Sequence, residues 1–189
     1  YDGGDYLKTQ ATSCLSGLSK CSFCAIVTLN SAIAAYAKII CKGNNATPPN
    51  ARVVQLAVGG AGFGTTKDIL FNIDYGGFSA MGNTTSTPLN FGPVASIVGV
   101  FDGSGTLDAD RMKIYCNGKE ITPLTFLNTV PATLPADTNP VYIGTYSVGV
   151  PSSSWNGNIY DAQIIGGVAL SPTQVLDYHY TAMAKLNRV

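Results

Sequence analysis

The chain has 189 residues, of which 46% are hydrophobic and only 12% charged, with eleven basic residues balancing eleven acidic ones. Too apolar and aromatic for a disordered chain, it also lacks the net charge that bulk attraction to nucleic acid or an anionic membrane requires. One His (His179) and one Glu (Glu120) leave little for acid–base chemistry near neutral pH, which points away from an enzyme.

No stretch reaches the eighteen or more apolar residues of a membrane span. The nearest, Ala32 to Ile40, is broken by Lys38. The chain opens at Tyr1 with neither initiator Met nor signal peptide, which reads as a mature form or an excised part of something longer. The Thr, Ser, Asn and Asp bias of its polar residues suits a β-protein on an outer surface.

In chain order, β-prone runs punctuated by Gly and Pro predict strands over Asp5–Thr9, Phe23–Leu29, Ala37–Lys42, Arg52–Val58, Asp68–Asp74, Ser96–Asp102, Arg111–Cys116, Tyr142–Tyr146 and Asn158–Ile165. Ser31 to Ala37 fits a helix as well as a strand. Gly59, Gly60, Gly62 and Gly64 do not space as a phosphate-binding loop and read as a hairpin tip. Asn45-Ala46-Thr47 and Asn83-Thr84-Thr85 are glycosylation sequons, relevant only in a eukaryotic secretory host.

Asn117-Gly118 is the preferred type I′ hairpin pair, and Trp155-Asn156-Gly157-Asn158 repeats the signal. Met112, Ile114 and Cys116 alternate with Arg111, Lys113 and Tyr115, so one face of that strand is buried and the other wet. One helix is expected, near the C-terminus. Ser171-Pro172-Thr173-Gln174 supplies an N-cap, a first-turn Pro and a capping-box Gln. Val175, Leu176, His179, Met183 and Leu186 then share a face.

Five cysteines cannot all pair within one chain. Cys14 and Cys21 can close a local bridge, while Cys41 and Cys116 read as small buried hydrophobes. Cys21-Ser-Phe-Cys24 is a lone C-x-x-C that opens a β-like run. It lacks the second ligand pair of a zinc site and the helix of a redox motif. With no helices between strands, a parallel α/β fold is excluded. The pattern predicts an all-β, antiparallel two-sheet jelly-roll sandwich with one short C-terminal helix, a single domain over 1–189.

Several motifs carry a family resemblance. Tyr1-Asp2-Gly3-Gly4-Asp5-Tyr6-Leu7, Phe101-Asp102-Gly103, and Arg111 through Gly118 resemble the opening and the "DG … r-l-Y-v-N-G" signature of laminin-G-like, concanavalin A-like domains. Tyr142-Ile143-Gly144, Trp155 through Asp161, and Val168-Ala169-Leu170-Ser171 resemble its later strands and closing segment. The resemblance implies a jelly-roll sandwich and no single function, since such domains include lectins, adhesion modules, glycoside hydrolases and virion surface proteins. Tyr160-Asp161 stands where the family often has two acids.

A glycoside hydrolase needs two flanking carboxylates, and the hydrolases of this superfold resemble an E-x-D-x-x-E strand. Here Glu120 is the sole Glu and reads as a solvated hairpin charge. His179 reads as a packing histidine, and no G-x-S-x-G elbow is present. No catalytic residue is assigned.

Asp102, Ser104, Thr106, Asp108 and Asp110 place oxygens at alternate positions in one loop. This makes Asp102, Asp108 and Asp110 the candidate ligands for calcium, against the alternative of a solvated Asp-rich turn. Tyr75, Tyr146, Trp155 and Asn156 are the candidate ligand contacts. Sugars stack on aromatic faces and bond to amides, although Trp155 equally suits capping of the sandwich edge.

The expected function is a non-catalytic binding module on an extracellular or virion surface, recognising glycans or a neighbouring protein. Neither a nucleic-acid nor a membrane partner is expected. The alternative is a structural coat, decoration or filament subunit, such as that of a phage virion, whose partner is its own assembly. A glycoside hydrolase comes third. Low charge and an odd cysteine favour the assembly reading.

Overall fold

The computed structural model describes residues 6–30, 37–43, 54–59, 68–75, 78–84, 89–145 and 154–186. Within them the strands are β1 (Leu7–Lys8), β2 (Lys20–Val27), β3 (Ala37–Lys42), β4 (Val54–Val58), β5 (Ile69–Tyr75), β6 (Phe78–Thr84), β7 (Ala95–Asp102), β8 (Met112–Cys116), β9 (Lys119–Glu120), β10 (Leu124–Leu127), β11 (Val141–Ile143) and β12 (Ile159–Gly166). A single helical turn, α1 (Asp108–Arg111), precedes β8, and α2 (Pro172–Leu186) ends the described chain.

The strands form two antiparallel sheets. One has seven strands in the order β1-β11-β3-β4-β5-β6-β10, the other five in the order β12-β2-β7-β8-β9. This is the expected jelly-roll sandwich with one C-terminal helix.

Alternation explains the core. Val54, Leu56, Val58, Ile69, Phe71 and Ile73 point inward from the seven-stranded sheet, and Phe23, Ala25, Ile97, Phe101, Met112 and Ile114 point inward from the other. Phe71 reaches across to the facing sheet. Its ring lies 5.6 Å from that of Phe23 and fills the space over Gly99, where an added Cβ would come within 2.7 Å of it.

The outer face of the five-stranded sheet carries a second, smaller cluster of Cys24, Val98, Val100, Tyr115 and Val175, which seats α2. The capping box forms as read: Ser171 N–H donates to Gln174 Oε1 at 2.9 Å, and Gln174 N–H to Ser171 Oγ at 3.3 Å. The helix buries Val175 and Ala182, while Leu176 stays 37% exposed. His179 is half-buried, its Nδ1 2.9 Å from Ser96 Oγ, so the one imidazole ties the helix to β7.

Two turn readings diverge. At Asn117-Gly118 both residues take positive φ, 52° and 76°, and β8 turns into β9 as expected. The Trp155–Asn158 segment is not a hairpin. It crosses from β11 in one sheet to β12 in the other, prolonging the pairing with β2: Asn30 N–H donates to Asn156 O and Thr28 N–H to Asn158 O. Gly157, at φ +151°, lies so close to Thr28 that an added Cβ would sit 1.9 Å from its carbonyl oxygen.

Cys14, Cys21 and Cys24 are free thiols. The Cys14–Cys21 bridge that the spacing allows does not form: Cys14 is exposed while Cys21 faces the inter-sheet core. Cys21 and Cys24, three residues apart on one strand, point to opposite faces and cannot share a metal or a disulfide. Burial pushes both thiols up to about 12; for Cys24 the Asp161 carboxylate adds to the effect.

Candidate functional site

Of the residues expected to contact a ligand, Trp155 lies in the core and not on a surface. Trp155 is fully buried: its indole N–H donates to Thr28 O at 3.1 Å and its ring belongs to the inter-sheet core. It caps the sandwich and offers no face to a sugar, which corrects the surface reading. Asn156 is half-buried beside it. Tyr75 closes β5, in register with Phe78 at the start of β6. Tyr146 lies outside the described residues, as do Ser31 to Tyr36, the glycines from Gly60 to Gly64, and Asn45.

The three aspartates of the calcium reading serve the turn instead. Asp102 pairs with Lys20 at 2.8 Å and accepts from Ser104 Oγ at 2.5 Å. Partial burial works against its ionisation, and the bonds from Lys20 and Ser104 outweigh that and hold its carboxyl below the usual range. Asp108 Oδ1 accepts from Val130 N–H at 2.7 Å. Asp110 Oδ2 accepts from Leu107 N–H at 3.2 Å, across the first turn of α1. No group of three or more His, Cys, Asp or Glu side chains among the described residues is placed to hold a metal ion. The alternate spacing is that of an Asp-rich turn: Asp102 and Asp110 accept from nearby backbone N–H groups, and Asp108 ties the turn to Val130.

The outer face of the seven-stranded sheet carries a cross-strand row the sequence did not announce. Tyr142, Cys41, Gln55 and Asn72 are successive register partners on β11, β3, β4 and β5. All are buried, and among the described residues Gln55 Oε1 and Asn72 Oδ1 accept no hydrogen bond.

An open polar and aromatic concavity lies on the other sheet. There α2 leaves part of the outer face uncovered, and a groove of roughly 420 Å³ runs between the helix and the edge strand β12. Its floor is apolar: Ile26, Ile165, Leu170, Ala182 and Leu186. Its walls carry Tyr160, Asp161 and Gln163 from β12, and Gln174, Asp177, Tyr178, Thr181 and Lys185 from α2.

The local cause is a β-bulge. Ile159 pairs with Val27 but Asp161 with Ile26, so Tyr160 is the extra residue. Ile159, Ala162 and Ile164 then face the core, while Tyr160 and Asp161, though adjacent in sequence, both line the groove. Tyr160 stands 47% exposed. Asp161 Oδ2 is held from both walls, by Tyr178 Oη at 3.0 Å and Gln163 Nε2 at 2.7 Å. Burial first, and then the Asp161 charge, push the Tyr178 phenol well above its ordinary value, so it stays a donor. The groove therefore presents an exposed ring, an oriented carboxylate, two amides and a lysine over an apolar floor.

The signals for this site were present but scattered. Tyr160-Asp161 stood out as a departure from the family pattern, and Gln174, Tyr178, Thr181 and Lys185 fall at helical spacing on one flank of α2. Only packing brings them together.

The model of the concanavalin A-like lectin/glucanases superfamily matches residues 2–176. The chain belongs to this superfamily. A search of curated proteins finds no match.

Among solved structures, this superfamily member is similar to the CBM40 of the Ruminococcus gnavus IT-sialidase bound to α2,3-sialyllactose, at 14% identity and a TM-score of 0.64. The match covers 92% of this chain and 98% of that one. It is also similar to domain 4 of AbnA, an extracellular arabinanase from Geobacillus stearothermophilus, in complex with arabinotriose (17% identity, TM-score 0.63, 94% of this chain and 73% of that one). The Trypanosoma rangeli sialidase in complex with sialic acid matches at 16% identity and a TM-score of 0.57, over 87% of this chain and 23% of that one. At such identities the likeness is one of fold. No helix among the described residues is long and apolar enough to cross a membrane.

Proposed function

We propose that the chain is a single-domain, non-catalytic glycan-binding module acting outside the cell or on a virion surface. The observation that carries this reading is the α2–β12 groove, where exposed Tyr160 stands beside Asp161, itself oriented by Tyr178 and Gln163. An aromatic face covers the apolar side of a sugar ring, and fixed acceptors and amides bond its hydroxyls. Its solved structural relatives include a carbohydrate-binding module with bound sialyllactose and a domain with bound arabinotriose, which supports the class of ligand. Asp161 commits one oxygen to two donors of the groove wall, an arrangement for holding a ligand rather than for passing a proton.

A glycan array probed with multivalently displayed protein tests this. Wild type is expected to bind a defined glycan class and to hydrolyse none of it, and Tyr160→Ala and Asp161→Asn to lose most of the binding. Silence of the wild type across the array, or undiminished binding by both variants, overturns the reading.

One observation favours the second reading, an assembly subunit. Among the described residues β12 is an eight-residue edge strand, whereas the other sheet edges, β1, β9 and β10, have two, two and four residues. A long open edge is a template for pairing with another chain. Size-exclusion separates the two: a monomer at all concentrations counts against assembly.

A further inference from the structure

The groove's charges narrow its ligand further, on the premise that it is the glycan site just proposed. Its walls carry two carboxylates, Asp161 and Asp177, against one ammonium, Lys185. No Arg lines it. Among the described residues Arg111 is spent elsewhere, donating to Gly105 O and Val130 O, both at 2.7 Å. A sugar carboxylate is best held by the planar fork of a guanidinium, which makes two parallel charge-assisted bonds. The described lining has none, and its net negative charge opposes any anionic group that enters. Asp161 has one oxygen turned to two wall donors, and Asp177 is exposed on the helix flank. From this charge pattern we infer that the groove selects amino sugars with a free, protonated amine, tolerates their neutral counterparts, and rejects sialylated or uronic ones.

The expected size follows from exposed pairs. Each contributes a fraction of a kcal/mol, so two carboxylates acting on one ammonium give about a three- to tenfold preference at low salt. It should shrink as salt screens it.

The experiment uses the whole chain in mildly acidic buffer. The probes are gluco- and galacto-configured oligosaccharides, each in hydroxyl and free-amine form, together with sialyllactose, all displayed at equal density. The free-amine forms are expected to bind about three- to tenfold more tightly than the hydroxyl forms, and sialyllactose not at all. Asp177→Asn should cut the amine preference, read as the ratio of amine-form to hydroxyl-form affinity, about two- to threefold. Glu120→Gln, on the far edge of the same sheet, should leave the preference unchanged. Equal affinity for hydroxyl and amine forms, or sialyllactose binding as tightly as either, overturns the inference and leaves the glycan reading standing. An amine preference that survives Asp177→Asn, or falls in Glu120→Gln, overturns its assignment to the groove. Failure of every sugar to bind overturns both the inference and the glycan reading.

Discussion

Lys42 is a lysine at an interior position, and replacing it with methionine should cost the fold a large part of its stability. Lys42 ends β3 in register with core-facing Val54 and has no exposed surface. Its ammonium spends all three hydrogens: on Asp137 Oδ2 at 2.5 Å, on Thr12 O at 2.6 Å, and on Asn139 O. It thereby ties β3 to the segment after β1 and to the segment before β11. Lys42→Met leaves the Asp137 carboxylate, whose side chain is 6% exposed, without its counter-ion, and takes the ammonium donor from the Thr12 and Asn139 carbonyls. Breaking one side of a buried pair costs about 3–5 kcal/mol, against about 5–15 kcal/mol for a whole domain. Urea denaturation should show the midpoint falling with the slope unchanged. Adding Asp137→Asn to Lys42→Met should restore about 1–2 kcal/mol, because a neutral amide is cheaper to bury unpaired and still accepts from Asn139. A loss below about 1 kcal/mol in Lys42→Met would refute this account. So would a second substitution that only adds its own cost.

Three further outcomes are expected. Gly157→Ala should destabilise by about 2 kcal/mol or more, since its Cβ would clash with the Thr28 backbone at 1.9 Å; a stability within error of wild type sinks the close-contact argument. In native protein at mildly alkaline pH, a thiol reagent should label exposed Cys14 while Cys21, Cys24 and Cys116 stay unmodified until denaturant is added, which mass mapping of the labelled peptides checks. The same thiols predict alkaline instability. The folded state holds these protons up to about 11 for Cys116 and about 12 for Cys21 and Cys24, while the unfolded chain releases them near 9. Stability should therefore fall as pH rises through that window, and Cys21→Ala with Cys24→Ala should flatten the fall in a pH series of melting curves.

The sandwich was legible because its signals are local. Two-residue alternation, the Asn117-Gly118 turn and the capping box at Ser171 each depend on neighbours within a few residues. The superfamily motifs gave their order. β6 was missed because Phe-Ser-Ala-Met-Gly-Asn-Thr neither alternates nor favours strand, and its pairing with β5 and β10 supplies what propensity lacks. Trp155 was left open between surface and core, since a Trp between Ser and Asn-Gly suits both. The crossing between sheets buries it against Thr28.

The sequence by itself determined the sheet-forming pattern, the C-terminal helix and the absence of bulk charge. Where ligand chemistry gathers was decided only by tertiary structure. Tyr160 and Asp161 share a face because a bulge shifts the register of β12, and they meet Tyr178 and Asp177 because α2 covers only part of the outer sheet. Bulge and coverage both arise from packing between segments distant in sequence, and residue spacing encodes neither.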